Sequence, residues 1–266
     1  MGFIACKISI RVASIISGCA SDSLLPAAHI LRNHLCLTMK KALFLLMLAT
    51  SFGTTALAQD AAAGDAAKGA NKAAMCIGCH GIVGYQASFP EVYKVPKIAG
   101  QGAKYIVSAL TAYQKGDRKH PTMRGISASL TESDMADLAA FYEKQGKDAG
   151  GDAPPAALAQ PVPDALKDRM AACVACHGAN FSTPLDPSYP RLAGQHADYL
   201  YAALKAYHTD GNPLVGRGNA TMRSQVVQEA DGKKKLTFSP AELKQVAGYL
   251  SSLPGELKVV PQSRFR

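Results

Sequence analysis

Two short segments carry residues whose types and spacing can do chemistry. "MCIGCHG" runs from Met75 to Gly81 and "ACVACHG" from Ala172 to Gly178, each with two cysteines three residues apart and a histidine directly after the second. On one helical turn both thiols can form thioethers to the vinyl groups of a haem, and the histidine is carried under the ring, where its imidazole can bind iron. The spacing therefore predicts covalent haem attachment through Cys76 and Cys79 with His80 on the iron, and again through Cys173 and Cys176 with His177. Other cysteine chemistries fit less well. A thioredoxin-like dithiol needs βαβ surroundings that are missing here. A structural zinc site needs four ligands, usually with a second C-x-x-C or histidine pair nearby.

The elements that must position these residues are also written twice. "CIGCHG", "VPKIAGQGAKYIVSALTAY" and "PTMRG" in the first half return as "CVACHG", "YPRLAGQHADYLYAALKAY" and "ATMRS" in the second. Landmarks keep their order at separations of 94 to 99 residues: Gly100 to Gly194, Cys76 to Cys173, Met123 to Met222. A duplicated domain explains this, and repeats of this kind decide the organisation of a chain before anything else. Between the copies lies a Gly-, Ala- and Pro-rich stretch, residues 148–163, which reads as a linker. It separates a first domain, 59–147, from a second, 164–266.

Both domains read as helical. Tyr105, Ala109 and Tyr113 recur at helical spacing with Ile106 and Leu110 beside them, and Gly116 is placed to stop that helix. The counterpart, Tyr199, Ala203 and Tyr207 with Leu200 and Leu204, ends near Gly211. Thr131–Asp134 and Ser239–Glu242 are helix-start signals, with Pro240 suited to a first turn, and predict helices over 132–145 and 240–252. The second half alone inserts "VVQEADGKKKLTF", where Asp231-Gly232 between β-compatible runs fits a small hairpin. Domains this small, with no Trp and aromatics at 7%, have little core of their own. A buried haem would be that core, so the apo protein is expected to fold poorly.

Residues 39–58 have a basic start at Lys40-Lys41, a short apolar run and a small-residue end at Ala56-Leu57-Ala58, the layout of a cleaved secretory signal. The apolar run is short for a membrane span. Residues 1–38 sit ahead of a signal with its own Met39 and read as an upstream extension outside the native chain. Without residues 1–58 the cysteines that stay are Cys76, Cys79, Cys173 and Cys176, all in the two motifs. The charge falls to 24 Lys and Arg against 19 Asp and Glu. That mild surplus, with no basic patch interleaved with aromatics, argues against nucleic acid as a partner. The run Lys233-Lys234-Lys235 reads as a solvated face.

The sixth iron ligand follows from the repeat. Methionine completes the iron in electron-transfer cytochromes and raises the reduction potential. Met123 and Met135 are the first-half candidates. Met135 is matched by Leu243, whereas Met123, in a Thr-Met-Arg loop, is matched by Met222 in the same triplet. Met123 and Met222 are therefore the expected ligands. His120 is a rival, but its counterpart is Asn219. His120, His196 and His208 are read as ordinary surface or core histidines, and Met75 and Met170 as packing.

On these residues the chain resembles the dihaem cytochrome c4 family, with Cys76-x-x-Cys79-His80 and Met123, Cys173-x-x-Cys176-His177 and Met222, and the P-x-[IL]-A-G-Q runs at Pro96–Gln101 and Pro190–Gln195. The resemblance implies an all-α fold of two tandem class I cytochrome c domains, each wrapped around one covalent haem c. It implies that the carbonyls of Pro96 and Pro190 support His80 and His177, and it makes Arg124 and Arg223 the candidates to pair with haem propionates. It further implies a periplasmic carrier, not an enzyme, passing electrons by outer-sphere transfer between respiratory donor and acceptor proteins, including a membrane terminal oxidase. Any membrane association would be peripheral, through a partner. The alternatives are a dihaem subunit of a dehydrogenase, or a dihaem peroxidase or sulfur-compound oxidase, which would need an open axial position.

Overall fold

A computed structural model describes residues 63–149, 160–230 and 233–261. The expected signal segment and upstream extension, most of the expected linker and the Asp231-Gly232 pair lie outside the described residues.

In the first half, α1 (Ala66–Lys72) starts where the Asp65 carboxylate accepts the Ala67 and Lys68 N–H groups, and α2 (Ala74–His80) follows after Ala73. A two-residue ladder pairs β1 (Gln86–Ala87) with β2 (Tyr93–Lys94). Helix α3 (Ala103–Lys115) stops at Gly116, whose φ of 84° is left-handed backbone that favours glycine. After β3 (Arg118–Lys119) come α4 (Pro121–Ala128) and α5 (Glu132–Asp148). A reciprocal box between Thr131 and Asp134 starts α5. It runs three residues past the expected end, with a Lys144–Asp148 pair in its last turn.

The second half repeats the plan. A 3₁₀ turn (Asp164–Leu166) leads into α6 (Lys167–His177), α7 (Ala197–Ala206), β4 (Gly216–Arg217), α8 (Ala220–Val226), the hairpin β5 (Val227–Ala230) and β6 (Lys233–Leu236), and α9 (Pro240–Ser252). The register Ala230↔Lys233 leaves a two-residue connection, as the Asp-Gly signal predicted. Helix α7 ends at Ala206 rather than near Gly211. Tyr207, His208 and Thr209 donate to carbonyls three residues back, tightening the chain out of the α-helix, and Arg223 takes the Tyr207 carbonyl.

Each half has its own core. Ala73, Ile77, Ile106, Leu130, Met135, Leu138 and Tyr142 fill the first. Leu166, Met170, Phe181, Leu200, Phe238, Leu243, Val246 and Leu250 are central to the second. Met135, 1% exposed, takes a contact from the Thr111 hydroxyl at 3.6 Å, which makes it core rather than a free sulfur donor. Among the described residues no helix is long and apolar enough to cross a membrane.

The halves are joined by backbone as well as side chains. β3 pairs antiparallel with β4, Arg118 opposite Arg217, and Ala99 bridges Lys258. Gly100 makes the close approach possible: its φ is 85°, and a Cβ there would lie 2.4 Å from the Glu256 carbonyl oxygen.

Candidate functional site

The motif residues sit at helix ends. Cys76, Cys79 and His80 form the last turn of α2, and Cys173, Cys176 and His177 the last turn of α6. All four thiols are free and half-buried. Burial pushes the Cys76 and Cys173 thiols up from their ordinary value. Among the described residues no three His, Cys, Asp or Glu side chains converge on one point, which leaves a pooled zinc site without a donor set.

Each histidine is fixed by a carbonyl. His80 Nδ1 lies 2.8 Å from the Pro96 oxygen, and His177 Nδ1 lies 3.0 Å from the Pro190 oxygen. A carbonyl only accepts, so Nδ1 carries the proton and Nε2 keeps its lone pair for a metal. Burial depresses both imidazoles, against the opposing effect of these hydrogen bonds, and so favours the neutral, ligating form.

The recurring methionines are in helices, not loops. Met123 is the third residue of α4 and Met222 the third of α8. Pro121 pre-sets the first turn of α4. In each case the residue before the helix caps it through the methionine's own N–H: His120 Nδ1 accepts from Met123 N at 3.4 Å, and Asn219 Oδ1 from Met222 N at 2.9 Å. His120 and Asn219 are thus the same device in two chemistries. Their shared role explains why a histidine faces an asparagine across the repeat.

Arg223 is committed to Asp210 at 2.8 Å and Glu229 at 3.1 Å, and Lys234 of the lysine run also pairs with Asp210. Arg124 is exposed. Sequence reading passed over Arg118 and Arg217, although they stand five residues before Met123 and Met222 respectively. Arg118 is 9% exposed. It donates to the Tyr105 hydroxyl at 3.1 Å and the Tyr199 hydroxyl at 2.7 Å, and Arg217 reaches the same Tyr199 hydroxyl at 3.1 Å. Arg118 also lies over the Tyr113 ring, 4.5 Å from its centre. Burial acts to raise Tyr199, but the two guanidiniums overcome it and bring the hydroxyl to about 8.

Among the described residues no carboxylate pairs with either guanidinium, and the Arg118 Nε is buried without a hydrogen-bond partner. Buried cations need an anion. A cavity of about 30 Å³ lies against this cluster, with Tyr93, Arg118, Tyr199 and Arg217 in its wall together with apolar residues such as Pro90, Ala206 and Val215. Arg118 is also close enough to His80 for its charge to depress that imidazole further. Two thiols, a metal-ready imidazole and an uncompensated cation near it fit a haem, which brings vinyl groups, iron and carboxylates.

Comparison with known proteins agrees. The cytochrome c family model matches residues 66–145 and 167–254. Cytochrome c4 of Azotobacter vinelandii is 35% identical over 203 residues, 70% of this chain and 93% of that protein. Cytochrome c4 of Pseudomonas aeruginosa is 36% identical over 170 residues, 62% of this chain and 80% of that protein. A protein of Stutzerimonas stutzeri named thiosulfate dehydrogenase electron acceptor is 33% identical over 174 residues, 60% of this chain and 78% of its own. With two cytochrome c halves in tandem, the chain is an electron-transfer protein with two covalently bound haem c groups, and it belongs to the cytochrome c4-like family of dihaem c-type cytochromes.

Proposed function

We propose that the chain is a periplasmic two-haem shuttle between respiratory donor and acceptor proteins, with a membrane terminal oxidase among the acceptors. The observation that carries this is the matched pair of donor sets. Each half offers a neutral histidine whose Nδ1–H is tied to a proline carbonyl, and a methionine at the third position of a capped helix. His80 with Met123, and His177 with Met222, would each supply the two protein ligands of one haem iron. The haem supplies the one-electron couple. With a histidine and a methionine both held for each iron, a substrate would find no vacant place to bind, and transfer would be outer-sphere with no bond chemistry. Arg118 and Arg217 are the residues we assign to the propionates, in place of Arg124 and Arg223. The signal layout of residues 39–58 supports export to the periplasm.

The electron-acceptor relative favours a second reading, in which the donor is a dehydrogenase of an inorganic sulfur compound. Stopped-flow reduction by such an enzyme, set against reduction by a respiratory donor, separates the two.

The test of the shuttle is an optical spectrum of the matured protein with and without carbon monoxide. Two low-spin haems, the weak ferric methionine–iron band at both, and no carbon monoxide binding are expected. One haem that binds carbon monoxide in the untreated protein would overturn the carrier reading and favour an enzyme.

A further inference from the structure

The two P-x-[IL]-A-G-Q runs end in Gln101 and Gln195, which are 5% and 3% exposed. A buried amide is costly unless its hydrogen bonds are made. Both are made across the boundary between the halves. Gln195 Oε1 accepts the Lys97 N–H at 3.0 Å, and its Nε2 donates to the Lys97 carbonyl at 2.9 Å. Gln101 Oε1 accepts the Arg191 N–H at 2.9 Å, and its Nε2 donates to the Arg191 carbonyl at 3.0 Å. The partners return the grip. Lys97 Nζ donates to the Gly194 carbonyl at 2.6 Å, and the Arg191 guanidinium to that of Gly100. Each glutamine is also braced on its own side, accepting the N–H of Gly102 or His196 at 3.0 Å.

Lys97 and Arg191 directly follow Pro96 and Pro190. The peptide group whose oxygen accepts from His80 is therefore the one whose N–H donates to Gln195. The same holds for His177, the Pro190–Arg191 peptide and Gln101. A peptide that donates at its N–H becomes a better acceptor at its oxygen, because hydrogen bonds in a chain polarise one another, by about 10–30% per bond. A better acceptor draws the Nδ1 proton and makes the imidazole a stronger donor to iron, which favours the ferric state.

We infer that Gln195 and Gln101 are reciprocal positioning residues, each tuning through one peptide group the proximal histidine, and so the reduction potential, of the haem in the other half. The inference rests on His80 and His177 being iron ligands, a reading checked separately by the spectrum of the unmutated protein.

The experiment is a redox titration of haem-loaded Gln195→Leu, Gln101→Leu and Gln195→Glu, with each haem followed by NMR signals assigned through its attached cysteines. Gln195→Leu should ease reduction of the first-half haem by several-fold to tenfold, tenfold being 59 mV for one electron, with the second-half haem within twofold of the parent. The His80 Nδ1–H resonance should move upfield while that of His177 stays. Gln101→Leu should mirror this. Gln195→Glu keeps an acceptor on the Lys97 N–H and should return the potential to the parent value or below. Equal shifts in both haems, a shift confined to the mutated half, or no shift with both haems in place would overturn the inference. If the leucine variants fail to hold haem, hydrogen exchange of the parent decides: slow exchange at both Lys97 and Arg191 amides supports the relay, and exchange as fast as in exposed loops overturns it.

Discussion

In the first half, the chain leaving His80 turns its apolar residues outward: Val83 is 73% exposed, Val92 71% and Phe89 56%. In the second half, the chain leaving His177 folds Phe181 fully inward. The Phe181 oxygen accepts the Leu192 and Ala193 N–H groups, and its ring meets Tyr249 edge-on. The second half also has the β5–β6 hairpin behind α8, with Val226, Val227 and Phe238 buried around it. Among the described residues the first half has no equivalent of either. Yet the proline carbonyl on each histidine, the cap on each methionine helix, the paired arginines and the crossed glutamines recur position for position. Duplicated halves can diverge wherever packing tolerates alternatives, and they stay matched at the histidine carbonyls, the helix caps and the contacts that cross between the halves.

The largest expected consequence is a difference in how far each half relies on its haem. Phe181 and the hairpin give the second half apolar packing that does not depend on the cofactor, and the first half lacks both. Cys76→Ala with Cys79→Ala should therefore abolish cooperative folding of the first half. Cys173→Ala with Cys176→Ala should leave α7 and α9 partly formed. Far-UV circular dichroism and residue-specific hydrogen exchange on the two variants read this directly. Equal collapse of both would mean that the extra core of the second half counts for nothing without haem.

Next in size are the sulfurs. Met123→Ala and Met222→Ala should each open one iron, admit carbon monoxide there and make reduction of that haem harder by roughly tenfold or more, since methionine ligation raises the potential. The haem of the other half should keep its methionine band. A Met123→Ala protein with both bands intact would remove Met123 from the ligand set and return attention to the His120 beside it.

Smaller still is the cap. Loss of an N-cap side chain costs about 1 kcal/mol. The Asn219 contact is the shorter of the two, 2.9 Å against 3.4 Å for His120. Asn219→Ala should therefore lower the denaturant midpoint of its half more than His120→Ala lowers that of the first.

Much of this was legible in the sequence because the chain writes it twice. The C-x-x-C-H units, the recurring methionine and the helix starts at Thr131 and Ser239 are local signals within four or five residues, and local spacing is what a sequence displays. The role of Gln101 and Gln195 was not legible, although both close a motif that stood out. Their partners lie 90 and 98 residues away, and no periodicity reports such a contact. The Arg118–Arg217 pairing was hidden for the same reason. The family resemblance points to Arg124 and Arg223, but Arg223 also pairs with Asp210 and Glu229, 13 and 6 residues away, which no local motif shows. The end of α7 was misplaced because Gly211 is a visible stop, whereas the carbonyl that Arg223 takes from Tyr207 is not.

The smallest expected effect compares how acid loosens the two halves. In the first, Lys72 sits between Asp134 at 2.6 Å and Asp137 at 2.7 Å, tying α1 to α5. Lys72 is the main cause that holds both carboxyls below the usual range. The Thr131 hydroxyl and N–H add to it for Asp134, and the Asp65 N–H for Asp137. A carboxyl depressed by folding contributes stability in full above its unfolded value, about 4, and loses it as pH falls through the folded value. In the second half Arg169 pairs with Glu242, but Glu242 is held low first by the Ser239 N–H and hydroxyl, with Arg169 behind them. Lys72→Met should therefore flatten the fall in first-half stability between about pH 4 and pH 2, and Arg169→Met should change the second-half slope much less. Amide exchange of α1 and α5 against α6 and α9, followed across that range in the haem-loaded protein, measures both slopes at once. Identical flattening in the two variants would mean that the caps and the ion pairs contribute alike, and that the acid response does not distinguish the halves.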